Sequence, residues 1–179
     1  MDTCIALFRG INVGGNNMVP MKELRSIIER EGCGDVRTYI QSGNAVFGTA
    51  VKDRAVLESR LTAAIAKRYG FEPRVLILTV KELERAAAAN PFPAASNDPG
   101  RLHLFFLAER PNHPDLKRIA ALATGSERFA LKGQVFYLHT PDGFGTSKLA
   151  TRVEQLLGVR ATARNWRTVT TLLEMANGA

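Results

Sequence analysis

The same order of predicted elements occurs twice along this 179-residue chain, and a repeat of that kind leaves few folds open. Residues 4–9 form a nearly all-apolar run that ends at Gly10, the pattern of a strand buried on both faces. A loop rich in Gly and Asn follows over residues 10–17. Pro20 then suits the first turn of a helix, in which Met21, Leu24, Ile27 and Ile28 recur at helical spacing until Gly32. Strand character returns at 36–41 and 45–47, separated by the turn residues Ser42-Gly43-Asn44. Val56, Leu57, Leu61, Ile65 and Tyr69 place a second helix over 52–69, followed by a strand at 75–78 and an Ala-rich helix at 81–89.

Beyond a Pro- and Asn-rich stretch, the order returns. The spacing predicts a strand at 102–107, a helix at 114–123, strands at 129–131 and 135–139 joined at Lys132-Gly133-Gln134, a helix at 146–157, a short strand at 160–163 and a helix at 165–176. Residues match as well: the segment from Tyr39 to Phe47 aligns without gaps on that from Phe129 to Tyr137, at a constant shift of 90 positions. The expected fold class is α+β, a duplication of two ferredoxin-like β-α-β-β-α-β subdomains, each followed by an extra helix. The expected boundaries are 1–90 for the first subdomain, 91–100 for a linker and 101–179 for the second.

A chain of this length buries enough surface to fold without staples. Its 45% hydrophobic and 23% charged residues exclude a disordered, collagenous or membrane-spanning protein. Cys4 and Cys33 fit neither a CxxC pair nor a zinc spacing, so both read as small core residues, and no cofactor or metal is expected. The first residues lack the basic and apolar regions of a secretory signal, which sets the expectation of a cytoplasmic protein with no membrane partner. The net charge of +7 invites an anionic partner. Between Gly143 and Thr168 the basic residues Lys148, Arg152, Arg160, Arg164 and Arg167 face Glu154 alone.

Four segments are candidate sites. The first opens from Arg9 through Gly10, Asn12, Gly14 and Gly15 towards a helix start, where backbone N–H groups and a guanidinium can converge on an anion. Its glycines match neither a dinucleotide fingerprint nor a Walker loop, and the plainer reading is a tight backbone path. The second holds Ser147 and Lys148, with Thr146 or Ser147 capping a helix and Lys148 in its first turn, unfavourably placed against the dipole. The third, Arg164-Asn165-Trp166-Arg167, sets guanidinium groups beside the sole tryptophan, whose plainer role is to anchor a helix. The fourth is the polar hairpin Gln41, Ser42 and Asn44, which is also ordinary turn chemistry. No HExxH, GxSxG or paired-acid pattern accompanies them, so no nucleophile or catalytic residue can be named.

Several of these stretches carry a family resemblance. They are Ala6-Leu7-Phe8-Arg9-Gly10-Ile11-Asn12-Val13-Gly14-Gly15 with Val19-Pro20-Met21, and Arg37-Thr38-Tyr39-Ile40-Gln41-Ser42-Gly43-Asn44. Asn90-Pro91-Phe92-Pro93, Ser147-Lys148-Leu149 and Ala161-Thr162-Ala163-Arg164-Asn165-Trp166 complete the set. Over essentially its whole length the chain resembles the mainly bacterial family of domain of unknown function 1697, departing at Ala163 and Arg167, where that family tends to have Thr and Asn. The resemblance implies two ferredoxin-like subdomains and supplies no reaction, cofactor or catalytic residue.

The leading expectation is a protein that binds a phosphorylated ligand, a nucleotide or nucleic acid, through Arg9, the loop amides, Gln41, Asn44, Lys148 and Arg164. In the nucleic-acid version Phe8, Tyr39 and Phe47 would stack on bases from an open sheet face. A small hydrolase or transferase, and an interaction module with no small ligand, stay open beside it, as does the oligomeric state.

Overall fold

The computed structural model describes residues 1–178 and divides into two compact units, one formed by Met1–Glu84 with the residues from Thr171 onward, the other by Arg85–Thr170. It is an α+β protein with two four-stranded antiparallel sheets and six α-helices among the described residues.

The first unit runs β1 (Asp2–Arg9), α1 (Met21–Arg30), β2 (Gly34–Tyr39), β3 (Asn44–Thr49), α2 (Arg54–Tyr69) and β4 (Arg74–Thr79), with strand order β2-β3-β1-β4. Successive residues of β1 alternate between sheet faces: Cys4, Ala6 and Phe8 pack with Ala45, Phe47 and Ile77 into a core shared with the helices. Ile5, Leu7 and Val46 lie on the other face and are buried too, which is why the run reads as continuously apolar. Leu57, Leu61 and Ile65, at four-residue spacing, line one stripe of α2, and Leu24, Ile27 and Ile28 one stripe of α1. Each such fully buried side chain contributes about 1.5–3 kcal/mol. Helix α2 starts at Arg54 rather than residue 52, because Asp53 caps it by accepting hydrogen bonds from the N–H groups of Ala55 (3.0 Å) and Val56 (3.3 Å). It ends at Gly70, whose φ of 78° makes the left-handed C-cap.

α3 (Val80–Ala88) follows, and the division between the units falls within it. The Pro- and Asn-rich stretch beyond is not featureless. Pro93–Asn97 forms a 3-10 turn, and the Asn90 carboxamide holds it by accepting from Phe92 N–H (2.9 Å) and donating to Ser96 Oγ (3.2 Å).

The second unit runs β5 (Leu102–Leu107), α4 (Leu116–Leu122), β6 (Arg128–Lys132), β7 (Val135–His139), α5 (Val153–Leu157), β8 (Ala161–Asn165) and the start of α6 (Trp166–Ala176), which passes into the first unit at Thr171, with strand order β6-β7-β5-β8. Phe105, Leu107, Phe136 and Leu138 pack with Ile119 of α4 and with Val153, Leu156 and Leu157 of α5. α4 begins at Leu116 rather than residue 114 because Asp115 caps it, accepting from Arg118 N–H at 3.0 Å.

Two expectations are corrected here. The helix expected over 146–157 is only Val153–Leu157, preceded by a 3-10 turn at Phe144–Thr146 and by further turns. Hydroxyl side chains compete for the backbone along this stretch: Thr146 donates to Gly143 O (3.0 Å), Thr151 donates to Lys148 O (2.8 Å), and Ser147 Oγ accepts from Ala150 N–H (3.0 Å). Lys148 therefore lies in a turn, with no helix dipole to oppose it.

The ungapped match between the hairpins is out of register. Ala6 lies opposite Ala45, and Phe105 opposite Phe136, all four on the helix side of their sheets, so Ala45 corresponds to Phe136 at a shift of 91. Before the turn the shift is 93, because Tyr39 opposite Asn44 corresponds to Lys132 opposite Val135. The first hairpin has two more turn residues than the second. A shift of 90 would have set Phe47, in the helix-side core, against Tyr137 on the opposite face, the reversal that any odd slip produces in a strand.

Candidate functional site

At the end of β1 the Gly/Asn loop folds back as a small hairpin. Asn12 N–H donates to Asn17 O (3.0 Å) and Asn16 N–H to Val13 O (2.9 Å), around a tip of Gly14 and Gly15 with φ of 56° and 80°. Two successive positive φ values at a tip are what Gly-Gly supplies without strain. Asn12 and Asn17 also take the left-handed conformation, which asparagine tolerates best among residues with a side chain.

Asn12 is the clamp of this loop. Its Oδ1 accepts from Val19 N–H (2.7 Å), and its Nδ2 donates to Val19 O (2.9 Å) and to Gln41 O (2.8 Å). The last bond ties the hairpin loop to the β2–β3 turn, residues 40–43. Asn17 Nδ2 donates to Gly10 O (2.8 Å), and buried Asn44 donates to Tyr39 O (3.1 Å) and Ser42 Oγ (3.0 Å). The asparagine side chains thus bind the chain itself and set the shape of two adjoining loops. Asn12→Ala removes three hydrogen bonds, each with a net contribution of about 0.5–1.5 kcal/mol, so a loss of about 2–3 kcal/mol is expected. Hydrogen exchange would show it as faster exchange at Val19 N–H relative to the α1 and α2 amides.

The arrangement leaves Arg9, Gly14, Gly15, Gln41 and Ser42 at the surface and Gly10 half-buried. Sequence reading missed Arg74. In the β1–β4 register Arg74 lies directly opposite Arg9, so the two exposed guanidinium-bearing residues share one sheet face where β1 opens into the glycine loop. The Pro73-Arg74 start of β4 was visible, but its pairing partner was not. Ile40 is unusual as well: a β-branched residue half-exposed at a φ of 49°, a conformation that costs about 1–3 kcal/mol.

The other candidates belong to the second unit. Ser147 is buried and Lys148 exposed. Asn165 caps α6, its Oδ1 accepting from Thr168 N–H at 2.9 Å, and Arg164 donates to Ala163 O at 2.8 Å. Between these segments sits His103, the register partner of Asn165, stacked on Phe144 with ring centroids 3.7 Å apart. Burial pushes its imidazole down to about 4, and its Nδ1 has no hydrogen-bond partner among the described residues. It is therefore a neutral ring at physiological pH, and no side chain orients it as a base. His139 is lowered by burial and by Arg128. The Tyr137 hydroxyl, pushed up to about 12 by burial, donates to Ala86 O at 2.7 Å.

Burial also raises both cysteine thiols, so neither is an activated nucleophile. Among the described residues no three His, Cys, Asp or Glu side chains cluster to hold a metal, and no helix is long and apolar enough to cross a membrane. Base stacking on Phe8 and Phe47 is ruled out, because both are buried in the helix-side core of their sheet. The alternation along β1 and β3 turns them away from the open face.

The paired loops fall within the stretch that comparison with known families singles out. The family model described as "Protein of unknown function (DUF1697)" matches residues 1–137. No curated protein matches the chain. Among solved structures, the chain is similar to the conserved bacterial protein SP0830 from Streptococcus pneumoniae, at 27% identity and a TM-score of 0.70, with 98% of each chain covered. The match takes in all four strands of the first unit and, in the second, β5, β6 and the start of β7, and on that basis the chain belongs to the DUF1697 family.

Proposed function

We propose that this protein binds a phosphorylated or other anionic small ligand at the loop end of its first unit, in the bacterial cytoplasm, on a scaffold of two ferredoxin-like copies. The observation that carries the reading is the opposition of Arg9 and Arg74 across β1 and β4. Two guanidinium-bearing residues side by side on one sheet face can each give a bound anion charge-assisted hydrogen bonds. The Gly14-Gly15 tip and the exposed Gln41 and Ser42 add neutral donors nearby, and the hydrogen bonds of Asn12 and Asn17 pre-set the loops, which lowers the ordering cost of binding. The order β2-β3-β1-β4, matched by β6-β7-β5-β8, supports the ferredoxin-like and duplicated reading. The bacterial setting is supported by the likeness to the Streptococcus pneumoniae protein. With Phe8 and Phe47 in the core, a small phosphate ester or nucleotide fits this surface better than a nucleic-acid strand.

Titration calorimetry with inorganic phosphate and with a nucleoside monophosphate tests the reading. Binding is expected to weaken about tenfold in Arg9→Ala and in Arg74→Ala, the loss of about 1.4 kcal/mol that one charge-assisted contact contributes. Affinity should also fall as salt rises. Lys148→Ala reports in parallel on any contribution from the second unit. Absence of binding by the wild type, or wild-type affinity in both arginine variants, rejects the proposal.

A further inference from the structure

Val13, Met18 and Ile40 are 63%, 59% and 50% exposed, and they project from the two loops that Asn12 ties together. Large apolar side chains exposed on loops held by hydrogen bonds can receive apolar groups of a partner at little ordering cost. We infer that this paired-loop surface docks an acidic, aliphatic segment of a partner protein, with Val13, Met18 and Ile40 receiving its apolar side chains and Arg9, Lys22 and Arg37 drawing its carboxylates.

Charge decides the occupant. Residues 9–22 and 36–50 contain those three basic side chains and no Asp or Glu, the nearest acids in sequence being Glu23 and Asp35 at their ends, so the loops themselves favour an anionic partner. The same sign argues against a second copy of this face, which would bring like charges together. The exposed apolar side chains are aliphatic and the one aromatic ring beside them, Tyr39, is partly buried, which disfavours a single-stranded nucleic acid. A lipid interior is disfavoured by the tip itself: Gly14, Gly15, Asn16 and Asn17 expose peptide and carboxamide groups that hydrocarbon cannot satisfy. A peptide offers both the apolar contact and the hydrogen-bonding groups. The inference goes beyond the small-ligand reading, since its apolar half uses side chains which that reading does not.

Fluorescence anisotropy with a labelled peptide of alternating Glu and Leu tests it on the full chain, with Lys/Leu and Glu/Ser peptides as comparisons. Wild type is expected to bind the Glu/Leu peptide at least tenfold more tightly than either comparison. The triple variant Val13→Ser/Met18→Ser/Ile40→Ser should lose at least tenfold, and Lys22→Glu, a single exposed change that tests the charge separately, about threefold or more. Arg74→Ala should weaken phosphate binding about tenfold and peptide binding by no more than about twofold, which separates failure of this inference from failure of the small-ligand reading. The inference is overturned if wild type shows no preference for the Glu/Leu peptide, or if the triple variant binds it equally well. Tighter, triple-variant-sensitive binding to a single-stranded oligonucleotide or to phosphatidylglycerol vesicles overturns it in favour of those partners.

Discussion

Gly43→Ala will destabilise the first unit by about 2–5 kcal/mol. Gly43 holds a φ of 77°, and a Cβ there would sit 2.6 Å from Ile11 Cδ1 and 2.8 Å from Phe8 Cβ. The left-handed conformation costs an L-residue about 1–2 kcal/mol. Overpacking a buried site adds about 1–3 kcal/mol, and neither neighbour can retreat, because Ile11 and Phe8 are both about 1% exposed. The backbone cannot swing away either, since Gly43 O accepts from Phe8 N–H at 2.8 Å and continues the β1–β3 ladder. Against a typical domain stability of about 5–15 kcal/mol, this single methyl group removes a large fraction of the whole. Urea unfolding should show a much lower midpoint at unchanged slope. Gly14→Ala is the control: its φ of 56° carries the conformational strain, but no atom lies within 4 Å of its added Cβ, so it should lose only the strain.

The second large effect is a loss of stability in mild acid that traces to His103. Its pKa falls from an ordinary 6.5 to about 4 on folding because burial disfavours the charged ring. The unfolded chain therefore binds a proton between these values that the folded chain does not. Stability from this group is fully present above pH 6.5 and is lost as pH falls towards 4, by about 3 kcal/mol in all. His103→Leu removes the titrating ring and the unsatisfied Nδ1 together while keeping an apolar contact for Phe144. At pH 7 the variant should be as stable as wild type or more so. Between pH 7 and 4.5 its unfolding free energy should fall much less than that of wild type, and parallel curves for the two proteins would contradict the assignment.

The element order was legible because it rests on periodicity: Leu57, Leu61 and Ile65 of α2 and Leu24, Ile27 and Ile28 of α1 are buried at the spacing that marked each helix, although Val56 is exposed. What misled was local chemistry of short polar side chains. Ser147 and Thr151 sit inside an apolar pattern that reads as helix, yet their hydroxyls bond the backbone and hold turns until Val153. Hairpin register was beyond reach for a different reason. A match of aromatic, glycine and amide residues looks the same whether the turn has two residues or four, while the face each residue occupies depends on that count.

The candidate site was half legible. The Gly/Asn loop and the Gln41–Asn44 hairpin did prove to adjoin, but the link between them is Asn12, whose partners Val19 and Gln41 are 7 and 29 positions away. An asparagine suited to a ligand and one suited to a distant carbonyl are the same letter in a sequence. Arg74 went unseen because opposition across strands depends on register, and no motif surrounds it.

The most direct measurement of the account's central claim is the pattern of amide shifts on adding inorganic phosphate to isotopically labelled protein. Saturable shifts are expected to concentrate at Gly10, Gly14, Gly15, Gln41 and Ser42, with their midpoint moved to about tenfold higher phosphate in Arg74→Ala while the remaining spectrum of that variant stays that of the folded wild type. Shifts scattered over both units, or shifts at the loop whose midpoint Arg74→Ala leaves unchanged, would contradict the claim.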